Sequence, residues 1–299
     1  MSNFTFFDRP VAATSTTDNK EKQVELKLTK GNNKRFEIDY HIKFSAVGQL
    51  MTDVRTTTIW LLKVIDQFED GYLIDVEVED HKVFNANPAF NDTIDFFRAF
   101  NYPTEKLVLK LSKNGCVERV LNQEEVFERW VEIKEKVLAP LGDTDGKELL
   151  KKGDEQFKNT SPSLRESFLF NLFFAPFYGH KTELVNNKTI ATVPGTSQLF
   201  QAVPVMYDIA EQIKEITEQH IVLTHQANVN NTRTLADFKK LYEQAYQELC
   251  GPAFAYKNEY QATYDIDIKL GLINSCKATL IETTGSSLSY ETEYSITRI

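Results

Sequence analysis

The chain has 299 residues, a formal net charge of −9 and a pI of about 5.2, with 41% apolar and 26% charged residues. That apolar share excludes a chain disordered throughout. The acidic balance and scattered Lys and Arg argue against a nucleic-acid phosphate backbone or an anionic lipid surface as partner.

Cysteine usage points the same way. Cys116, Cys250 and Cys276 are odd in number and far apart, whereas a disulfide framework or zinc site needs closer, even spacing. Met1 to Lys22 reads as a polar, flexible arm without the basic and apolar regions of a secretory leader. No run reaches the roughly 18 apolar residues of a membrane-spanning helix. A cytoplasmic location is the expectation.

From Val24 the pattern is that of strands. Val24, Leu26 and Leu28 alternate with polar residues, and after Gly31-Asn32-Asn33 the period of two resumes through Phe36, Ile38, Tyr40, Ile42 and Phe44. Strands are expected over Val54–Gln67 and Tyr72–Phe84, joined at Asp70-Gly71, so that the first four strands form a meander. A short helix is expected over Asp92–Asn101. A hairpin then runs from Leu107 through Lys113-Asn114-Gly115 to Leu121. Asn122 with Glu125 matches a capping box for a helix reaching Leu138, which carries Val126, Trp130, Ile133 and Val137 on its apolar stripe.

The middle of the chain differs. A Gly142–Gly146 loop and a weaker helical stretch lead to Ser161-Pro162, a helix start with proline in its first turn. Leu164 to Tyr178 is dense in aromatics, with Phe168, Phe170, Phe173, Phe174, Phe177 and Tyr178. A loop with one short strand is expected over His180–Gly195. Strands follow over Ala202–Ile216 and Gln219–Val229, then a helix over Leu235–Leu249 opened by Thr234 and Asp237. Three final strands span Tyr256–Leu270, Leu272–Thr284 and Ser287–Arg298.

A segment apolar nearly all round must be surrounded. The Phe-rich segment is therefore either a plug in a curved sheet or a lid over an apolar pocket, and its six aromatics are the candidate ligand- or partner-binding residues. Alternation places Asp75, Glu77, Glu79 and His81 on one face of the fourth strand, most simply a solvated outer face. His41 falls on a charged face, His180 in a loop. His225 falls with Ile221, Leu223 and Ala227 on an apolar face, as a buried histidine needing a hydrogen-bond partner. No HExxH, phosphate-binding glycine loop or GxSxG elbow is present. No metal site, cofactor or catalytic residue is expected.

The Lys113-Asn114-Gly115-Cys116-Val117 hairpin, the helix around Trp130, and the closing run Tyr264–Asp267 through Gly271-Leu272-Ile273 resemble bacterial proteins of unknown function with a curved, lipoprotein-carrier-like half barrel. The resemblance implies hydrophobic cargo, or a partner, held on the concave face.

The expected fold is α+β: long curved antiparallel sheets, or a half barrel, with helices packed on the concave side. Four parts are expected: an arm over 1–22, a β-meander with helices over 23–141, a helical Phe-rich connector over 142–180, and a second β unit with one helix over 181–299. The two β units are compatible with one sheet. The expected function is a non-catalytic binding protein for a hydrophobic small molecule or a hydrophobic segment of a partner protein. Alternatives are an adaptor, chaperone or immunity-type protein with a basic client, and a hydrolase with a carboxylate and histidine site.

Overall fold

The computed structural model describes residues 24–85, 98–138, 143–179, 181–182, 188–200, 203–229 and 232–299. Its strands are β1 (Val24–Glu25), β2 (Asn33–Ala46), β3 (Gln49–Phe68), β4 (Gly71–Asn85), β5 (Lys106–Ser112), β6 (Val117–Val120), β7 (Lys181–Thr182), β8 (Lys188–Thr196), β9 (Pro204–Ile216), β10 (His220–Val229), β11 (Tyr256–Asp267), β12 (Leu272–Thr284) and β13 (Leu288–Arg298). The helices are α1 (Gln123–Leu138), α2 (Asp143–Lys158), α3 (Ser161–Glu166), α4 (Phe168–Phe173), α5 (Thr232–Ala245) and α6 (Gln247–Cys250). Most of the expected Asp92–Asn101 helix lies outside the described residues.

Eleven strands form one antiparallel sheet in the order β6-β5-β4-β3-β2-β13-β12-β11-β10-β9-β8. Every neighbouring pair except β2–β13 is also consecutive along these strands, so the sheet is two meanders. They join where β13 pairs with β2 from Leu288↔Ala46 to Arg298↔Phe36 without a register shift. One face of this sheet is charged. The other carries Phe36, Trp60, Ile74, Leu109, Tyr264 and Cys276 into the main core, as strict alternation requires. A smaller core at the other end of the same face packs Phe238 and Tyr242 of α5 on Phe200, Val205 and Leu288.

The two sheet edges meet one short element. The helix α3 touches both β6 and β8. At one edge Val120 N–H donates to Ser161 Oγ at 2.9 Å; at the other, Pro194 C=O accepts from Asn171 Nδ2 at 2.9 Å. A flat eleven-stranded sheet would hold its edges about 48 Å apart at the usual strand spacing, whereas six helical residues span about 9 Å. The sheet is therefore strongly bent.

Three sequence expectations change. The first strand is only β1, paired with β7 outside the main sheet, so the first meander runs β2 to β6. Beyond β1 the chain leaves the ladder to bury Leu26 and Leu28, and Lys27 crosses the β11–β12 turn at Gly271. There φ is +66°, and a Cβ would lie 2.0 Å from Lys27 O, so the crossing needs glycine. Within 180–195, a region expected to be mostly loop, β8 is a nine-residue strand. Its Pro194 and Gly195 argue against a strand except at a sheet edge, which is where β8 lies. The helix α5 starts at Thr232, which puts Thr234 inside its first turn, where it is buried.

Candidate functional site

The Phe-rich segment is built from two short helices hinged at Ser167. Ser167 is extended (ψ 125°), ends α3, and caps α4 by accepting from Phe170 N–H. This break turns successive phenylalanines toward different strands. Phe173 packs edge-on to Phe36, with ring centroids 4.8 Å apart, and Phe170 lies 5.1 Å from Trp60. Phe168 meets Tyr260 and Tyr294, and Phe177 meets Tyr264 and His225. Tyr178 packs on Tyr72 and donates to Gly271 O at 2.7 Å; burial pushes its phenol pKa far up. Phe173, Phe174, Phe177 and Tyr178 are 4% exposed or less, and Phe168 and Phe170 are half-buried.

Of these six aromatics, Phe168 and Phe174 line a cavity. It lies between the stretch Glu166–Pro176 and strands β8 to β11, is partly open to solvent, and has about 30 Å³ of water-accessible space. Its apolar wall includes Phe168, Leu172, Phe174, Val193, Ile209 and Tyr260. Polar groups reach it from Glu166, Asn171, Thr196, Tyr207 and His225. An apolar wall interrupted by a few polar groups is the composition of a small-molecule site. Sequence reasoning singled out the Phe-rich wall but not the opposing one, because contributions from four separate strands leave no local pattern.

His225 lies in β10 at 1% exposure, opposite Glu211 of β9 in the register, and its Nε2 sits 3.2 Å from Glu211 Oε2. The alternation with Ile221, Leu223 and Ala227 places the ring on the apolar face, stacked on Phe177. A buried imidazole that borders a cavity and lies beside a buried carboxylate is the arrangement a general base would use. A second buried carboxylate, Glu282, accepts from Ser197 Oγ at 2.5 Å, Gln198 N–H at 3.0 Å and Leu199 N–H at 3.2 Å. Burial raises its pKa, although these donors act in the opposite direction. Glu282 ties the 197–200 loop to β12 and does not line the cavity.

The acidic face of β4 is not a single row. A register irregularity opposite Ile59/Trp60 inserts an extra residue at Glu79, so Asp75 and Glu77 share a face while His81 pairs with Thr58 on the other. Each carboxylate has a basic neighbour: Lys63 for Asp75, Lys106 for Glu77, Arg35 for Glu79. His41 lies 2.5 Å from Asp53 on the charged face. His180 lies outside the described residues. Among the described residues no group of three or more His, Cys, Asp or Glu is placed to hold a metal ion, and no helix is long and apolar enough to cross a membrane. The Cys116 thiol is pushed up to about 11 by burial.

No family model and no curated protein matches the chain. The solved structures that the chain matches include these three. A structure of lipid–protein interactions in lipovitellin matches over 91% of this chain and 25% of its own, at 7% identity and a TM-score of 0.46. DynF from the dynemicin biosynthesis pathway of Micromonospora chersina matches over 98% of this chain and 92% of its own, at 8% identity and a TM-score of 0.21. An outer membrane channel from Pseudomonas putida F1 matches over 92% and 98%, at 8% identity and a TM-score of 0.16. The chain thus spans about a quarter of the length of the lipovitellin structure. At these values none of the three carries an argument about function.

Proposed function

We propose that this protein is a non-catalytic binding protein that holds a small, largely apolar ligand in the cavity beside the Phe-rich segment. The observation that carries the reading is the cavity itself: an aromatic and aliphatic wall interrupted by a few polar groups. In this reading the bent sheet wraps around the Phe-rich segment, so that α3 and α4 lie on its concave side and α4 forms one wall. A small ligand is favoured over a hydrophobic protein segment, because most of the Phe-rich aromatics already pack on the sheet and present no continuous groove. An adaptor for a basic client is less favoured, because the carboxylates on the charged face of β4 already have basic neighbours.

The His225–Glu211 pair supports a second reading, hydrolysis by a histidine base. Among the described residues the cavity wall includes no serine or cysteine, and Thr196 offers a hydroxyl besides Tyr207 and Tyr260. Native mass spectrometry of the purified protein, with organic extraction, tests binding. A small apolar molecule should co-purify, and it should be lost when Ala227→Leu fills the cavity while the thermal transition is retained. Turnover of a bound compound by the native chain, abolished by His225→Gln, would overturn the non-catalytic reading.

A further inference from the structure

The chemistry of the cavity wall restricts the charge of what it can hold. Among the described residues no lysine or arginine lines it; Lys188, opposite Glu211 in the β8–β9 register, does not border it. Glu166, half-buried, is the one carboxylic side chain among the lining residues. His225 lies against Glu211, so a neutral or a protonated imidazole beside that carboxylate gives the pair a net charge of minus one or zero. An anionic headgroup would thus meet no compensating charge, and burying an unpaired charge is costly.

Among the hydrogen-bonding groups, the Thr196 and Tyr207 hydroxyls can donate or accept and favour neither charge, whereas Asn171 offers an acceptor. Asn171 spends its Nδ2 on two carbonyls, Arg165 O and Pro194 O, each at 2.9 Å. This orientation leaves the Asn171 Oδ1 acceptor without a partner among the described residues. The rings of Phe168, Phe174, Tyr207 and Tyr260 complete the wall, and aromatic faces attract cations. Acceptors, a carboxylate and aromatic faces without a fixed cation are the complement of an ammonium group.

Building on the binding reading above, we propose that the ligand is a small cationic amphiphile, an alkyl- or arylalkyl-amine, with its ammonium near Glu166 and Asn171 and its apolar body against Phe168, Phe174 and Ile209. Fatty acids and anionic lipids are disfavoured.

Calorimetric titration at pH 7 with n-octylammonium, 1-octanol and octanoate tests it. Octylammonium should bind one per chain, about tenfold tighter than octanol, with octanoate weakest. Glu166→Gln should weaken octylammonium about fivefold and leave octanol unchanged. Ala227→Leu should remove both, separating cavity binding from attraction to the acidic surface. Octanoate binding as tightly as octylammonium, a Glu166→Gln variant with unchanged amine affinity, or amine binding insensitive to Ala227→Leu would each overturn the amine assignment; Ala227-sensitive octanol binding would still leave the cavity reading standing. Failure of all three probes would overturn the cavity reading, and the amine assignment with it.

Discussion

Glu282 is a carboxyl whose environment pulls two ways: three donors favour the anion, and complete burial favours the acid more strongly. A carboxyl with a raised folded pKa binds its proton more tightly in the native state than in the unfolded one. Its contribution to stability is therefore full below the ordinary carboxylate range and declines as pH rises through the raised value. Glu282→Gln cannot ionise. In urea unfolding from pH 4 to 8, the stability gap between the native chain and this variant should narrow as pH rises; a gap that widens would contradict the burial argument. His225 and Glu211 are coupled in another way. Removing one partner leaves a buried polar group, so His225→Ala should cost ~3–5 kcal/mol, whereas the double change His225→Leu with Glu211→Met should cost less than the single one. Additive losses in equilibrium unfolding would show that the two do not act as a pair. The buried position of His225 was legible from alternation; its partner was not, because the pairing of β9 with β10 is set by register.

At the scale of elements, Asn122 shows how a correct local signal can serve another purpose. Its spacing to Glu125 reads as a capping box, and α1 does begin at the next residue. Its side chain, however, accepts from Val108 N–H at 2.8 Å and donates to Lys106 O at 3.1 Å, so it clamps the helix entrance to β5. Asn122→Ala should cost ~1–2 kcal/mol, measured by thermal or urea unfolding, and Asn122→Ser, a good cap with too short a reach, should recover little of it. Full recovery by serine would mean that capping dominates. The helix α2 explains its own weak signal: Gly153 lies inside it, where a Cβ would come 2.3 Å from the Trp130 ring. Helix propensity is given up there for a close approach to α1, sealed by Trp130 Nε1 donating to Asp154 at 2.8 Å. The long strands of both meanders were legible because each has one polar and one apolar face. The edge strand β8 was not, because its proline and glycine are tolerated only by virtue of where it sits.

For the molecule as a whole, the β2–β13 pairing turns two sequence-local meanders into one sheet, and its bending brings both edges to α3. Neither feature has a local signature: β2 and β13 lie more than 200 residues apart, and both edge strands are distant in sequence from each other. The consequence is that the Phe-rich segment Leu164–Tyr178, legible in sequence as an apolar helical stretch but not in its partners, packs on the apolar face of the sheet, with Phe168 and Phe174 left bordering the cavity. The account rests on that cavity being a binding site. Titration of the native chain and of Ala227→Leu with 1-octanol, the uncharged probe, tests this most directly. The account predicts saturable one-to-one binding to the native chain, lost in an Ala227→Leu variant that still unfolds cooperatively. Absence of binding to the native chain, or equal binding to both, would contradict it.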